Sequence, residues 1–155
     1  MASDDGYYED GPLASTFIVE VDGEEIGRFT EVSGLEFSIE VESIQEGGQN
    51  SFEHKLPGRI TWPNLVFKRG LTQSDNLFAW MEESSGEGFA KNKNKLTRAT
   101  AAITLMSTTG ERLREWSVEG AFPVKWSGPS LSNAQDDQAT EELEIAHHGF
   151  RASKP

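Results

Sequence analysis

The sequence predicts a mainly β protein, a β-sandwich or half-barrel of seven or eight strands with one α-helix on its flank. Three observations lead to this prediction. Apolar and polar residues alternate along several segments, as they do in strands with one buried face. Turn signals such as Asp22-Gly23 and Pro57-Gly58 separate these segments. Only one segment, from Leu77 to Met81, has the apolar spacing of a helix packed on a sheet.

Length and composition place the chain in a narrow class. With 155 residues it has the length of one domain and can bury a core. Its hydrophobic fraction of 35% and mean hydropathy of -0.54 are low for a compact monomer. The absence of cysteine excludes disulfides and thiol chemistry. No apolar run approaches the ~18 residues of a membrane span, and the first residues do not resemble a signal peptide. We therefore expect a chain without a membrane anchor that is cytoplasmic when made.

The charge of the chain is large and unevenly distributed. A net charge of -12 argues against a nucleic-acid-binding surface. Residues 16–54 carry ten acidic residues and one arginine, whereas residues 55–98 carry eight basic and four acidic residues. A basic middle third in an acidic chain fits a surface that meets an acidic copy of itself. Chance clustering of charges is the alternative.

The beginning of the chain predicts a tail followed by two strands. Residues 1–15 are acidic and aperiodic, which is typical of a flexible tail, so we place the folded domain at residues 16–155. Alternation over residues 17–21 predicts the first strand. The second strand runs from about residue 26 to residue 32, and Ser33-Gly34 ends it.

The longest predicted strand covers residues 35–46. Its odd positions up to residue 41 are apolar, namely Leu35, Phe37, Ile39 and Val41. Five of its six even positions are polar or acidic, namely Glu36, Ser38, Glu40, Glu42 and Glu46. Such alternation predicts one buried face and one solvent-facing face that carries four carboxylates. The predicted length exceeds the usual ~5–6 residues of a strand.

A Gly-rich polar loop follows this strand. It comprises Gly47, Gly48, Gln49, Asn50 and Ser51. Paired glycines indicate either a turn with positive φ or a loop that becomes ordered on a partner. We then predict a strand at residues 52–56, a turn at Pro57-Gly58 and another strand after it. Because Pro63 has no N–H, that strand lies at a sheet edge or begins at Asn64.

The second half of the sequence predicts the helix and the remaining strands. Thr72 and Asp75 form a plausible N-cap signal, and residues 84–88 end the helix. A basic loop with Lys91, Lys93 and Lys95 follows. Strands are predicted at residues 99–107, at residues 112–126 with interruptions at Gly120 and Pro123, and at residues 138–148. A polar loop covers residues 128–137.

The sequence contains no recognisable catalytic motif. Three histidines are too few for a metal site unless they converge, and His147 and His148 would lie on opposite sides of a strand. No phosphate-binding loop or nucleophile elbow is present. The four tryptophans could line a sugar-binding face, although such residues more often anchor a core or an interface. We predict no catalytic residues, no metal and no cofactor.

Two stretches carry a resemblance to a known family. The first covers residues 56–70 and includes Leu56, Pro57, Gly58, Arg59, Trp62, Asn64, Lys68, Arg69 and Gly70. The second covers residues 122–131, is followed by residues 141–149, and includes Lys125, Trp126, Gly128 and Pro129. With similar residues at 17–23 and 32–35, these stretches span about residues 16–150. They resemble the tail-tube family shared by contractile phages and by phage-tail-like contractile injection systems.

The resemblance implies an architecture and an assembly. The subunit would be a β-barrel-like sandwich with a flanking helix, and six copies would close into a hexameric ring with a continuous inner β-barrel. Rings would stack into a tube inside a contractile sheath. The predicted lumen or ring surface would include Glu36, Ser38, Glu40 and Glu42. The loop at residues 47–51 would contact the next ring or the sheath.

The expected function is therefore that of a structural inner-tube subunit of a contractile injection system, without enzymatic activity. Its expected partners are sheath, baseplate or spike, and cap proteins, with protein cargo in the lumen. Alternatives are the tail tube of a contractile phage, which passes DNA, and the related secreted ring protein of cell-envelope-anchored secretion. From a different class, a monomeric carbohydrate-binding β-sandwich is also considered. The sequence leaves open the cargo, the target cell and whether the particle is released.

Overall fold

The computed structural model describes residues 14–45, 47–48, 51–71, 76–91, 93, 95–96, 98–129 and 139–153. In these ranges the chain forms ten β-strands and two α-helices. The strands are β1 (Ala14–Val21), β2 (Glu24–Phe29), β3 (Glu31–Ser33), β4 (Ser38–Ile44), β5 (His54–Thr61), β6 (Leu65–Gly70), β7 (Ala99–Ser107), β8 (Arg112–Ser127), β9 (Thr140–Ala146) and β10 (Phe150–Ser153). The helices are α1 (Asn76–Ser84) and α2 (Gly86–Lys91).

Eight of these strands form one antiparallel sheet, and its two ends meet. The order is β2-β1-β7-β8-β9-β6-β3, with β10 paired to β8. Only Thr30 separates β2 from β3, and its N–H donates to the carbonyl oxygen of Lys68 in β6 at 2.8 Å. The two strands therefore act as one bent strand that pairs with β1 on one side and with β6 on the other. The fold is mainly β, as predicted, with the sheet curled into a barrel.

The hydrophobic core fills this barrel and extends under α1. It comprises Val19, Val21, Ile26, Phe29, Leu65, Phe67, Leu77, Trp80, Ala99, Ala101, Ile103, Val118, Ala121, Leu143 and Ile145. Leu77 and Trp80 lie on the inner face of α1, as the helical spacing of the sequence predicts. Neither helix is long and apolar enough to cross a membrane, a finding that covers only the described residues.

Several local predictions are confirmed. β7 covers residues 99–107, the same range that the alternation predicts. The Asp22-Gly23 turn joins β1 to β2, with φ angles of 49° and 86° at its two residues. Two consecutive positive φ angles are typical of the tight hairpin turn that an Asp-Gly pair favours. β6 begins at Leu65, directly after the segment in which Pro63 excludes a ladder bond.

Other local predictions are wrong. The first helix ends at Ser84, within the predicted range, but after Ser85 a second helix begins at Gly86 and includes Lys91 of the predicted basic loop, so two helices flank the barrel. β8 runs without a break through Gly120 and Pro123. At these positions the strand bends and changes its partner from β7 to β9, with shifts of register on both sides. Gly120 and Pro123 are compatible with such a bend, which redirects the strand without ending it.

Some predictions fall at the limits of the described residues. Ala14 and Ser15, the last two residues of the predicted tail, belong to β1. Residues 1–13 lie outside the described residues, as do the predicted N-cap residues Thr72 and Asp75. The predicted polar loop is described only up to Pro129, and the final long strand begins at Thr140.

Candidate functional site

β4 and β5 form a separate two-stranded sheet that stands apart from the barrel. We call these two strands the arm. Every residue of both strands is exposed. In the described part of the chain, no other helix or strand packs extensively against them. Within the described residues, the arm is therefore a sheet without a covering layer on either face.

The arm continues a hairpin whose base lies in the barrel. Ser33 pairs with Val66 at the end of the β3–β6 ladder, and Ser38 pairs with Thr61 at the start of the β4–β5 ladder. The same number of residues separates these pairs on the two strands, so the register does not change between base and arm. We call the unpaired segments 34–37 and 62–64 the root of the arm.

One face of the arm is apolar. Since directly opposed residues of an antiparallel pair share a face, Ile39 and Val41 lie with Ile60 and Pro57 on this apolar face. Ile39 is 42% exposed, Val41 58% and Ile60 48%. The prediction that the odd positions of this strand are buried is therefore wrong for Ile39 and Val41 in the subunit. The reason is that β4 pairs only with β5, and no further layer of the described chain covers the pair.

The opposite face carries the predicted lumen residues, and we call it the acidic face. Ser38, Glu40 and Glu42 are exposed on it. Glu36 precedes the strand, and its N–H donates to the carbonyl oxygen of Gly34 at 2.8 Å. β4 is thus seven residues long and does not reach back to residue 35. The acidic face is also not wholly polar, because exposed Leu56 pairs with Glu42.

The predicted loop lies at the tip of the arm. Gly47 and Gly48 are exposed and form a turn, and Gly48 has a φ of 99°. A turn with positive φ is one of the two alternatives that the paired glycines predict. Ser51 is exposed, whereas Gln49 and Asn50 lie outside the described residues.

The prediction of a turn at Pro57-Gly58 is wrong, because both residues lie within β5. The register shifts between Ile39 and Val41, so that Gly58 and Arg59 together oppose Glu40 as a β-bulge. A Cβ on Gly58 would lie 3.3 Å from the Cβ of Glu40. Pro57 is tolerated because β5 has an unpaired outer edge in the described structure. Leu56, Pro57, Gly58 and Arg59 therefore belong to the arm.

Two basic residues of the first motif are used within the subunit. Lys68 lies 3.9 Å from a carboxylate oxygen of Glu31 and 3.9 Å from one of Glu142. The Arg69 side chain is 4% exposed, and its Nε donates to Glu141 at 2.9 Å. Among the described residues, the buried Arg69 Nη2 has no hydrogen-bond partner. Part of the basic middle third therefore forms ion pairs within the barrel.

The other motif residues lie at the root, on the surface or at the ends of strands. Asn64 donates from Nδ2 to Glu144 at 2.9 Å, and Trp62 contacts three other rings at the root. Trp126 packs against Phe78 of α1 with ring centroids 5.1 Å apart. A Cβ on Gly128 would overlap the Trp126 ring. Of the rest, Lys125 is exposed, Pro129 is half-buried, and Gly70 ends β6.

The described residues show no arrangement typical of a metal site. No group of three His, Cys, Asp or Glu among them could hold a metal ion. His54 lies on the arm, while His147 is half-buried with its Nε2 bonded to the carbonyl oxygen of Pro63 at 2.9 Å. His148 is exposed. The arm has the character of a surface for another protein chain, because in the described structure its two strands pair only with each other and it carries one apolar and one acidic face.

Comparison with known proteins gives a consistent result. The profile of the T4-like virus tail tube protein gp19 family matches residues 13–151. No curated protein matches the sequence significantly. A chain in the cryo-EM structure of the PVC sheath–tube complex of an extracellular contractile injection system, in the extended state, is 26% identical, with a TM-score of 0.74 and 99% of each chain covered. A chain in the sheath/tube terminator of that system is 26% identical, with a TM-score of 0.73 and coverage of 96% of this chain and 98% of that one. A chain of the tube-terminating cap of the anti-feeding prophage shares the fold at 23% identity, with a TM-score of 0.74 and both chains fully covered.

Proposed function

The chain belongs to the T4-like virus tail tube protein family, and from this premise we propose that it is the inner-tube subunit of a contractile injection particle. Six copies close into a ring with a continuous inner barrel, and rings stack into a tube. Contraction of a surrounding sheath drives this tube through a target envelope. The role is mechanical and needs no active site. The likeness to a chain of a sheath–tube complex over 99% of both chains supports this proposal.

The arm is the observation that carries the proposal. An isolated two-stranded sheet is marginally stable in water, yet β4 and β5 stand apart from the barrel. The apolar face of the arm exposes Ile39, Val41 and Ile60, and the arm and its flanking residues expose four more large apolar side chains outside that face, namely Phe37, Ile44, Phe52 and Leu56. Large apolar side chains exposed together on one face, such as Ile39, Val41 and Ile60, mark an interface. A second copy of the chain supplies the missing layer, and its repetition around an axis gives a ring.

The assembly is tested by electron microscopy and sedimentation of the purified protein. We expect rings or tubes in negative stain, with interfaces that bury more than the ~1,600 Å² of a standard protein–protein contact. A species that sediments only as a compact 17.1 kDa monomer at every salt and protein concentration would contradict the proposal. Such a monomer is what a carbohydrate-binding β-sandwich would give.

The two faces of the arm have different roles in this proposal. The apolar face packs on the neighbouring copy, which leaves the acidic face toward the bore. Glu36, Ser38, Glu40 and Glu42 then line the lumen, and all four are exposed in the subunit. Repeated around each ring, these carboxylates produce a negative potential that keeps acidic cargo from adhering.

The lumen assignment is tested by removing charge without changing shape. Glutamine in place of Glu36, Glu40 and Glu42 should leave tubes of normal length and change only what the tubes retain. The measurement is tube length in micrographs, together with the composition of the retained cargo. Loss of assembly would instead place these carboxylates in contacts between subunits.

The tip of the arm is the proposed contact with the next ring or with the sheath. Gly47 and Gly48 lie there in an exposed turn, and the loop continues through Gln49 and Asn50 to Ser51. Deleting residues 47–50 should leave the barrel folded and abolish long tubes. Normal tubes from this variant would show that the loop takes no part in stacking.

The remaining partners follow from the same reading. The proposed partners are sheath, baseplate or spike, and cap proteins, and the lumen holds protein cargo. The particle assembles in the cytoplasm and then acts outside the cell or remains in it.

The family is that of a virus tail tube protein, so a phage tail tube that passes DNA is the second candidate. Nuclease-protected DNA in purified particles would decide for the phage, and packaged protein for the injection system.

A further inference from the structure

The arm leaves the barrel at a break in the hairpin ladder, and little backbone bonding in the described structure spans that break. The Glu36 N–H closes a three-residue turn on the Gly34 carbonyl oxygen. Pro63 has no N–H, and its carbonyl oxygen is bonded to His147 Nε2 at 2.9 Å. These backbone groups therefore do not pair with the opposite strand. The direction of the arm must be fixed by side chains.

Four aromatic rings meet at the root. The centroid of Trp62 lies 5.4 Å from that of Phe37, 5.1 Å from that of Phe150 and 6.1 Å from that of His147. These separations fall in the range of favourable ring contacts. Phe37 directly precedes β4 and Trp62 directly follows β5, so each strand of the arm contributes one ring. His147 and Phe150 belong to the corner between β9 and β10, which is part of the barrel.

The barrel side of this contact is firmly held. Gly149 is buried in the corner, with a φ of 131°, and its N–H donates to His147 Nδ1 at 3.0 Å. Its carbonyl oxygen accepts a hydrogen bond from the N–H of Glu119 in β8 at 2.9 Å. A Cβ on Gly149 would lie 3.0 Å from Trp62 Cε2, so the missing side chain leaves room for the indole. The corner thus forms a fixed seat for Trp62.

We propose that Phe37, Trp62, His147 and Phe150 form a latch that fixes the direction of the arm before the subunit meets its neighbour. A preorganised arm loses less conformational freedom on binding, which favours association. These four residues position the arm without being part of its apolar face. The benefit for assembly rests on the proposed tube function, whereas the latch itself is a property of the single subunit.

The latch is tested by a distance measurement on unassembled subunits. Because the chain has no cysteine, Ser43→Cys on the arm and Thr108→Cys in the barrel can carry two spin labels in an otherwise unlabelled background. Both positions are exposed. Labelled chains are isolated before assembly by size exclusion and diluted with unlabelled chains. Pulsed dipolar spectroscopy should give one narrow distance distribution.

Two phenylalanines of equal exposure provide the variant and its control. Phe37 and Phe52 are each 57% exposed, but Phe52 contacts His54 and lies outside the root. Phe37→Ala should broaden the distance distribution severalfold, whereas Phe52→Ala should leave it narrow. Equal widths in the two variants would overturn the latch. Trp62→Leu, which keeps apolar volume but removes the central ring, should broaden it further with the barrel still folded by circular dichroism.

Assembly gives a second and separate readout. Phe37→Ala should raise the protein concentration needed for tubes about tenfold relative to Phe52→Ala. If the arm loosens and assembly is unchanged, the latch does not serve assembly. If the unaltered protein forms no tubes while the distance result holds, the proposed function fails and the latch stands.

Discussion

Threonine in place of Ile39, Val41 and Ile60 should weaken self-association by about a hundredfold and leave the subunit folded. These side chains are 42%, 58% and 48% exposed, so roughly half of each remains to be buried on assembly. Full burial of such a side chain stabilises by ~1.5–3 kcal/mol. Half of that amount is ~1 kcal/mol per residue and ~3 kcal/mol for the three. At 1.4 kcal/mol per factor of ten, this corresponds to about two orders of magnitude in the association constant.

The assay is the critical protein concentration for tube assembly, measured by pelleting and light scattering. Threonine keeps the β-branched shape that strands favour, so the unfolding midpoint in urea should not change. Val124→Thr, at a residue 45% exposed on β8 of the barrel, is the matched control. Assembly of the triple variant at the wild-type concentration would refute the reasoning. A lower unfolding midpoint would show that the arm is part of the folding unit.

Two further predictions concern the barrel and the root. Glu141→Gln should lower the free energy of unfolding by about 3–5 kcal/mol, because it leaves the buried charge of Arg69 without its partner. Glu142→Gln, next in the same strand but in an exposed pair, should cost about 0–1 kcal/mol; equal losses in urea titrations would contradict this. Gly34→Ala should cost about 1–3 kcal/mol from its φ of 88° alone, with a further loss where the new Cβ overlaps a backbone carbonyl oxygen. Gly47→Ala, with open space around it, should be neutral in the same titration.

Local chemistry was sufficient for the elements whose conformation is set within a few residues. Asp22-Gly23 forms the predicted tight turn, because both residues adopt positive φ at low cost. Residues 99–107 form the predicted strand, because Ala101 and Ile103 are buried in the core and alternate with the less buried Thr100 and Ala102. Neighbouring residues are sufficient to predict these two elements, and no distant residue needs to be known.

The alternation at residues 35–41 predicts the side of each residue but not what covers it. Leu35 packs against the core, and Phe37 packs on Trp62. Ile39 and Val41 are exposed on the arm. Residues of one alternating pattern therefore lie in three environments: against the core, against Trp62 and exposed on the arm. The reason is that the covering layer is set by tertiary structure and, in our proposal, by another subunit. The low hydrophobic fraction of the sequence, 35%, was the signal that this chain alone does not cover all of its apolar side chains.

Long-range register explains the other misses. Pro57-Gly58 has the composition of a turn, but a bulge on an edge strand accommodates both residues. The Arg69–Glu141 pair joins residues of the two motif stretches that become neighbours only when β6 pairs with β9. Charges of opposite sign in two candidate strands were the available signal. The sequence does not state which strands are adjacent, so the pair could not be assigned.

The separation between core and arm determines how the subunit can be studied. None of the described core residues belongs to β4 or β5, so the barrel gains its stability without the arm. The arm in turn gains little from the barrel beyond its root, where Trp62 lies. Substitutions on the arm should therefore act on association, and substitutions in the barrel on folding, with the root as the place where the two effects meet. The effects of distant and independent sites add to within ~0.3–0.5 kcal/mol. The double variant Val41→Thr/Glu141→Gln should therefore show the loss of association free energy of the first substitution together with the loss of unfolding free energy of the second.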